Sequence, residues 1–365
     1  MPLTLLCHGA LSGHSVAPTH RPSRAPEGRL GRLLAKTGPP ERLRAPIAPN
    51  AVYSQESGVE YWLRKRFNLG ARESVAASAA FARQPFPQEA ALILRPVHLH
   101  AARDHLVLWP SSQLSILEDE EQSLFESAQD WLKDEPIRLR RLSTGIWELV
   151  ETDPDATRFE QLQGASSARA AGRNIDYWLP SGTGGRAWRR VMNEVQMLWH
   201  DHPVNSKRAE RGEPPVNALW LEGVAPRSPS RAFDVVVSDD PVLIGLATAT
   251  GARQLPLANH DISSARQASD RWLVDLPSFF DASGSAIQGH ADGYWAQLER
   301  FVETQLNGGF RALTPGSEII LTGEEQVCCF TLQTHSVWRF WRKRPRLSWL
   351  AEPSATTDDQ NSRSP

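Results

Sequence analysis

Residues Asn193 to Gly223 read NEVQMLWHDHPVNSKRAERGEPPVNALWLEG, and the fold class follows from how this stretch divides. Together with the residues just before it, Trp188, Val191, Met192, Val195, Leu198 and Trp199 recur at spacings of three and four. That predicts an α-helix with one apolar face. Pro203 cannot continue it, because proline lacks the N–H and its ring clashes with the preceding turn. After a polar segment through Arg211-Gly212, Val216 to Leu221 is a short apolar run, the pattern of a core strand. Helix, turn and buried strand in succession point to an α/β sheet.

The same alternation continues towards the C-terminus. Phe233 to Val237 reads as a second core strand, followed by Ser238-Asp239-Asp240-Pro241. Asp240 and Pro241 have N-cap and N1 chemistry for a helix running to Gly251, a good residue just past a helix end. Arg271 to Leu276 predicts another strand, Tyr294 to Gln305 another helix, and 317–322 with 326–332 a closing hairpin. A polar tail, Glu352 to Pro365, is expected to be disordered. Towards the N-terminus, Asp153 to Arg173 reads as an Ala/Ser/Gly-rich linker or loop, and Glu118 to Lys133 as an amphipathic helix with acidic residues in its first turn. Residues 91–109 predict two strands around Pro96, and 58–83 are helical in character. Ser15 to Asn50, rich in Pro and Arg, is expected to be mostly irregular, with a short helix near Leu30 to Leu34. Leu3 to Cys7 predicts a short buried strand ending at His8-Gly9.

Forty Lys and Arg against forty-two Asp and Glu give a net charge of -2 over 365 residues, which argues against a nucleic-acid binder. Three cysteines, two of them adjacent, form neither a disulfide framework nor a CxxC metal pattern. No secretory signal and no run of about 20 apolar residues is evident, so a cytoplasmic protein that does not engage membranes is expected. The C-terminal VWRFWRKRPRLSWL interleaves Trp338, Phe340, Trp341 and Trp349 with five basic residues. It reads either as a surface for nucleic acid or a partner, or as a last core strand with a solvated end. The strand reading is favoured.

The HDHPVN core (His200 to Asn205), Arg211-Gly212 and PVNALWLEG (Pro215 to Gly223) resemble a segment of the archaeal-type cofactor-independent phosphoglycerate mutases. Residues 92–150 resemble that family's inserted domain, and IDYWLPSG (Ile175 to Gly182) its return into the core. PVHLHAARDHLVL (Pro96 to Leu108), the NEVQML helix, SDDP (Ser238 to Pro241) and VWRFWRKR (Val337 to Arg344) resemble the RpfE-type regulatory family of bacteria over nearly the whole chain. That family takes its name from a gene cluster regulating pathogenicity factors. The resemblance implies an α/β fold with an alkaline-phosphatase-like core sheet, helices on both faces and an inserted small α+β domain. Its implied boundaries are 1–90 for the first part of the core, 91–150 for the insert, 151–350 for the remainder and 351–365 for the tail.

The resemblance also implies where a site should be. The alkaline-phosphatase-like superfamily uses two metal ions around a Ser or Thr nucleophile. It places a ligand Asp-Gly at the end of the first strand, where this sequence has His8-Gly9. An Asp-His pair is expected near Leu321 to Glu325, where the sequence reads LTGEE. A His-Gly-Asp cluster would fall in DASGSAIQGHADG (Asp281 to Gly293), making His290 and Asp292 metal candidates beside Asp275. Ser74, or Ser78, is the nucleophile candidate. In the distinctive stretch, His200 and His202 can ligate a metal or meet phosphate, and Arg208 or Arg211 can pair with an anion. Alternatively these residues, with Asn205 and Asn217, hold backbone groups in place, and that structural reading is favoured. Asp239 and Asp240, at a strand end, are ligand candidates as well as cap residues. With several ligands missing, no metal cofactor is expected. The expectation is a non-catalytic regulatory relative of the mutases, whose partner is a small phosphorylated ligand or another protein. The rival is an active mutase or phosphotransferase carrying Mn, Mg or Zn.

Overall fold

The computed structural model describes residues 3–11, 29–82, 91–152, 159, 162–257, 270–276, 296, 298–300 and 314–333. The expected helix at 294–305 lies almost wholly outside these. The Gly-rich stretch with His290 and Asp292, the C-terminal aromatic-basic segment and the tail lie entirely outside them. In chain order the strands are β1 (Leu3–Cys7), β2 (Glu41–Arg44), β3 (Ala91–Ala101), β4 (Leu106–Trp109), β5 (Ile137–Ser143), β6 (Ile146–Glu151), β7 (Ala218–Val224), β8 (Val235–Val237), β9 (Arg253–Leu255), β10 (Trp272–Leu276), β11 (Glu318–Thr322) and β12 (Gln326–Thr331). The α-helices are α1 (Arg29–Lys36), α2 (Gly58–Arg66), α3 (Glu118–Leu132), α4 (Ser167–Ala170), α5 (Gly185–His200), α6 (Pro203–Glu210) and α7 (Pro241–Thr250).

Side chains of a strand alternate between the faces of its sheet, and β1 buries both. Leu3, Leu5 and Cys7 join a core layer with Leu30, Leu33 and Leu34 of α1, while Leu6 joins the opposite layer with Trp62 and Leu63 of α2 and Leu243 and Leu246 of α7. Such two-sided burial is what a parallel strand under helices on both faces requires. The sheet order is β2-β12-β11-β1-β10-β8-β9. Strands β11, β1, β10, β8 and β9 run parallel, and β12 and β2 close one side antiparallel. A strand at Glu41–Arg44 corrects the expectation of irregular chain there: charged residues hide an edge strand from a hydrophobicity count.

Local chemistry sets the helix ends. Ser57 and Glu60 form a reciprocal capping box on α2. Asp240 caps α7, and Gly251 ends it at φ 64°, both as the sequence predicts. The Glu299 carboxylate accepts from Leu30 N and Gly31 N at 3.0 and 3.1 Å, capping the start of α1. Within the stretch read as helical in character, 58–66 form α2 and 76–81 a 3-10 helix. It packs so closely under α7 that a Cβ on Gly245 would stand 1.9 Å from Ser78 O.

A second, antiparallel sheet has the order β4-β3-β6-β5, with β7 also paired to β3. Here two expectations are corrected. Strand β3 runs straight through Pro96 rather than breaking there. Val97 O accepts from Asn217 N on the β7 side, so Pro96, one residue back, turns its nitrogen to the other side. There β6 has ended at Leu94 and β4 begins only at His98, so no ladder bond is asked of the proline. The helix and strand of the decisive stretch, α5 and β7, belong to this sheet and not to the parallel one. The second sheet thus draws on residues up to Val224. Its helical face holds Trp147, which meets Phe125 and Trp199 edge-on at 5.1 and 5.8 Å. The two buried indole N–H groups donate to Glu121 and Ser127 at 2.7 and 3.1 Å. No helix among the described residues is long and apolar enough to cross a membrane.

Candidate functional site

A cleft of about 740 Å³ opens between the carboxyl ends of the parallel strands and the second sheet. In open α/β sheets this is where ligands are held, because strand ends and helix starts converge there. From the parallel sheet come His8 and Gly9 after β1, Asp240 after β8, and Thr322, Gly323 and Glu324 at the end of β11. Opposite stand Arg95, Ser166, Ser167, Arg169, Arg173 and Glu222.

On the first wall the chain turns at Gly9 (φ 71°), and Thr322 Oγ1 accepts from Gly9 N at 3.2 Å, holding His8 at the strand end. His8 Nε2 lies 2.6 Å from Asp275 Oδ1. Ser238 Oγ donates to the other oxygen of Asp275 at 2.7 Å and accepts from Asp240 N at 2.9 Å. Burial disfavours a charged imidazole at His8, but the carboxylates of Asp275 and Asp240 outweigh it and raise its pKa above the usual histidine value. At Asp240, burial and then the Asp275 charge push the carboxyl up, against the pull of His8.

On the second wall the buried Glu222 accepts from Ser167 N at 3.2 Å and from the Ser167 hydroxyl, and pairs with Arg95 at 3.0 Å. The guanidinium of Arg169 lies 4.9 Å from the ring centre of Trp178, and that of Arg173 lies 5.5 Å away. Both arginines reach across the cleft to the turn after β11, as ion pairs with Glu324, while Arg169 also meets Glu325 at 3.2 Å. Ser57 lines the cleft between the walls, its hydroxyl donating to Glu60 at 2.7 Å.

The structure therefore brings together His8, Asp240 and Asp275 among the residues singled out by sequence. Asp239 stands beside them but spends its Oδ1 on Leu257 N at 3.1 Å. Ser74 does not join them. It lines a separate hollow of about 280 Å³ and packs on Gly223, where an added Cβ would fall 2.5 Å from the Ser74 Cβ. Ser78 is buried under α7. The HPVN stretch lies in the support of the second sheet. His200 is exposed, His202 caps α6 by accepting from Val204 N at 3.2 Å, and Asn205 holds Trp199 O and Val216 O at 2.8 Å each. Asn217 clasps both backbone groups of Leu99, Arg208 pairs with Glu120 at 2.6 Å, and Arg211 pairs with Glu120 and Glu213.

Sequence reasoning missed Ser57, Arg169, Arg173 and Glu222. The capping box at Ser57 was available as a signal. The two arginines sit in the stretch expected to be a linker, which instead holds α4 and lines the cleft.

A two-ion centre needs free carboxylates and imidazoles at these strand ends. Here the His8 imidazole is turned onto Asp275, and Glu324 and Glu325 are committed to arginines. Among the described residues no three His, Cys, Asp or Glu side chains are grouped to hold a metal ion.

No protein-family model matches the chain. A stretch of 58 residues is 36% identical to the 2,3-bisphosphoglycerate-independent phosphoglycerate mutase of Methanosarcina mazei, which is 15% of this chain and 15% of that protein's length. In three dimensions the chain is similar to the PH0037 protein from Pyrococcus horikoshii, with a TM-score of 0.50, 13% identity, and coverage of 90% of this chain and 87% of that one. The cofactor-independent phosphoglycerate mutase from Thermoplasma acidophilum gives a TM-score of 0.41 at 14% identity, over 91% of this chain and 90% of the other. The fold is the α/β class read from the sequence, an alkaline-phosphatase-like core sheet with helices on both faces and an added α+β layer. The relationship at the level of sequence is phosphoglycerate-mutase-like, over a short stretch.

Proposed function

We propose that this is a mutase-like regulatory protein of the RpfE type, which binds a small phosphorylated ligand in the cleft and does not turn it over. The carrying observation is the engagement of the strand-end groups. His8 is held by Asp275 and Glu324 by Arg173, where a dinuclear phosphotransferase needs open ligands. Three arginines on the opposite wall suit a phosphate, since guanidinium groups pair with its oxygens in a fork. The test is titration calorimetry with 3-phosphoglycerate beside a mutase assay with added Mn²⁺. Binding without turnover is expected, and absence of binding would sink the reading.

One observation favours the rival, a metal-dependent phosphoglycerate mutase or related phosphotransferase. A serine hydroxyl, that of Ser57, lines the cleft within hydrogen-bond reach of a carboxylate. Turnover in the Mn²⁺ assay that disappears in Ser57→Ala would establish it.

A further inference from the structure

Arg169 and Arg173 lie close enough for each other's charge to matter. Burial first, and then the Arg173 charge, lower the pKa of the Arg169 guanidinium. Two cations side by side against one aromatic face call for an anion between them. The aromatic ring is fixed: Trp178 is buried and stacked by Tyr53, with ring centres 5.3 Å apart and planes 17° from parallel. Arg169 is fixed too, its Nε and Nη2 each donating to Ser54 O at 3.4 Å.

The carboxylates answering these cations are not equivalent. Glu325 is the less exposed of the two and has further work, accepting from Ser54 N at 3.0 Å and from Arg44 at 3.1 Å. Glu324 is half-exposed, sits on the turn between β11 and β12, and among the described residues its carboxylate forms ion pairs with these two arginines only. Arg173 grips it with both terminal nitrogens, at 3.1 and 3.5 Å, while Arg169 stands 3.7 Å away. A fork-shaped guanidinium contact of this kind is the one that a ligand carboxylate or phosphate makes. Half-exposed ion pairs are also cheap to open.

We propose that Arg169 and Arg173, backed by Trp178, form an anion-binding subsite of the cleft that Glu324 fills when no ligand is bound, so that an anionic ligand enters by displacing an internal carboxylate. The subsite rests on the ligand reading given above and deepens it. Glu324 becomes the residue that sets affinity, because a ligand must compete with it. Releasing Glu324 also removes one of the ties between the β11–β12 turn and the second wall, leaving the Arg169–Glu325 pair, so occupancy changes how the two walls are tied.

The experiment titrates 3-phosphoglycerate, and separately inorganic phosphate, into the wild type, Glu324→Gln, Arg173→Gln and the double variant. Melting curves confirm that each is folded. The Glu324→Gln substitution keeps the shape of the side chain and removes its charge. That variant should bind either probe more tightly, by about tenfold if Glu324 occupies the subsite about 90% of the time. Arg173→Gln should weaken binding, and Glu324→Gln should give no gain on that background. If 3-phosphoglycerate binds the wild type and Glu324→Gln leaves its affinity unchanged or weaker, the subsite is overturned while the ligand reading stands. If inorganic phosphate binds Glu324→Gln through Arg173 but 3-phosphoglycerate does not, the subsite stands and the ligand reading fails. Failure of both probes on all four proteins overturns both.

Discussion

His8 Nε2 and Asp275 Oδ1 face each other at 2.6 Å across the adjacent parallel strands β1 and β10, each at the last buried turn of chain before the cleft. The charge state of the pair depends on pH. Because the folded-state pKa of His8 is raised, its contribution to stability is full below the ordinary histidine value of about 6.5 and is lost as pH rises through the folded value. The melting-temperature advantage of the wild type over His8→Gln should therefore be largest near pH 6 and shrink above it. A constant difference from pH 6 to 9 would show that the imidazole is not charged in the folded protein.

The strand-end groups also bear on metal content. Purified protein should retain fewer than two equivalents of tightly bound Mn, Zn or Mg. Elemental analysis finding two would mean that the His8–Asp275 and Arg173–Glu324 pairs open readily, or that the residues at 281–293 complete a site.

Arg208 separates the structural from the ligand reading of the HPVN stretch. Its side chain is wholly buried against Glu120 and donates to Leu114 O and Pro214 O at 2.6 and 2.8 Å. Arg208→Ala leaves the buried Glu120 carboxylate with Arg211 as its remaining cation and two backbone carbonyls without their donor, and should cost about 3–5 kcal/mol. Arg208→Met combined with Glu120→Leu should cost much less in chemical denaturation, and neither should change the affinity for 3-phosphoglycerate at temperatures where the variant is folded.

Helix α5 is anchored on the second sheet through Trp188, Val195 and Trp199, all fully buried. Trp199→Ala should lose about 3–5 kcal/mol, and Val195→Asp should be insoluble or unfolded, read by expression and circular dichroism. A soluble Val195→Asp protein with an unchanged melting temperature would contradict the packing.

Gly245 tests a close approach. Helix propensity alone favours Ala over Gly by about 1 kcal/mol, but an added Cβ meets Ser78 O at 1.9 Å. Gly245→Ala should therefore destabilise by about 1–3 kcal/mol, as the turn at 76–81 is pushed away from α7. A rise in melting temperature would show that the turn yields freely.

Elements written in local chemistry were legible in the sequence alone. Asp240-Pro241 and Gly251 delimit α7 because capping depends on neighbours in sequence, and Leu3–Cys7 is a strand because its run is apolar on both sides. What could not be read was partnership. The periodicity of α5 and the apolar run of β7 say that they are buried, but not against which sheet. Arg169 and Arg173 look like loop residues in an Ala/Ser-rich stretch, since the carboxylates that hold them lie more than a hundred and fifty positions later. For the same reason His8 was legible as a departure from a ligand Asp, while the ion pair that now occupies it depends on Asp275, far along the chain.

The placement of β1 also bears on how the molecule is made. It precedes the other described strands in the chain, yet both its neighbours, β10 and β11, come from residues after 271. The second sheet, by contrast, is assembled from one continuous stretch between Ala91 and Val224. Growing chains fold their local units first, since distant pairings must wait and carry a larger closure entropy. A nascent chain thus holds a finished antiparallel layer by Val224 while the apolar β1 waits for partners until residues beyond 271 are added. Truncation before Leu321 leaves that strand without a full ladder on one side, and a need for chaperones during synthesis is the expected consequence of a central strand whose partners come so late.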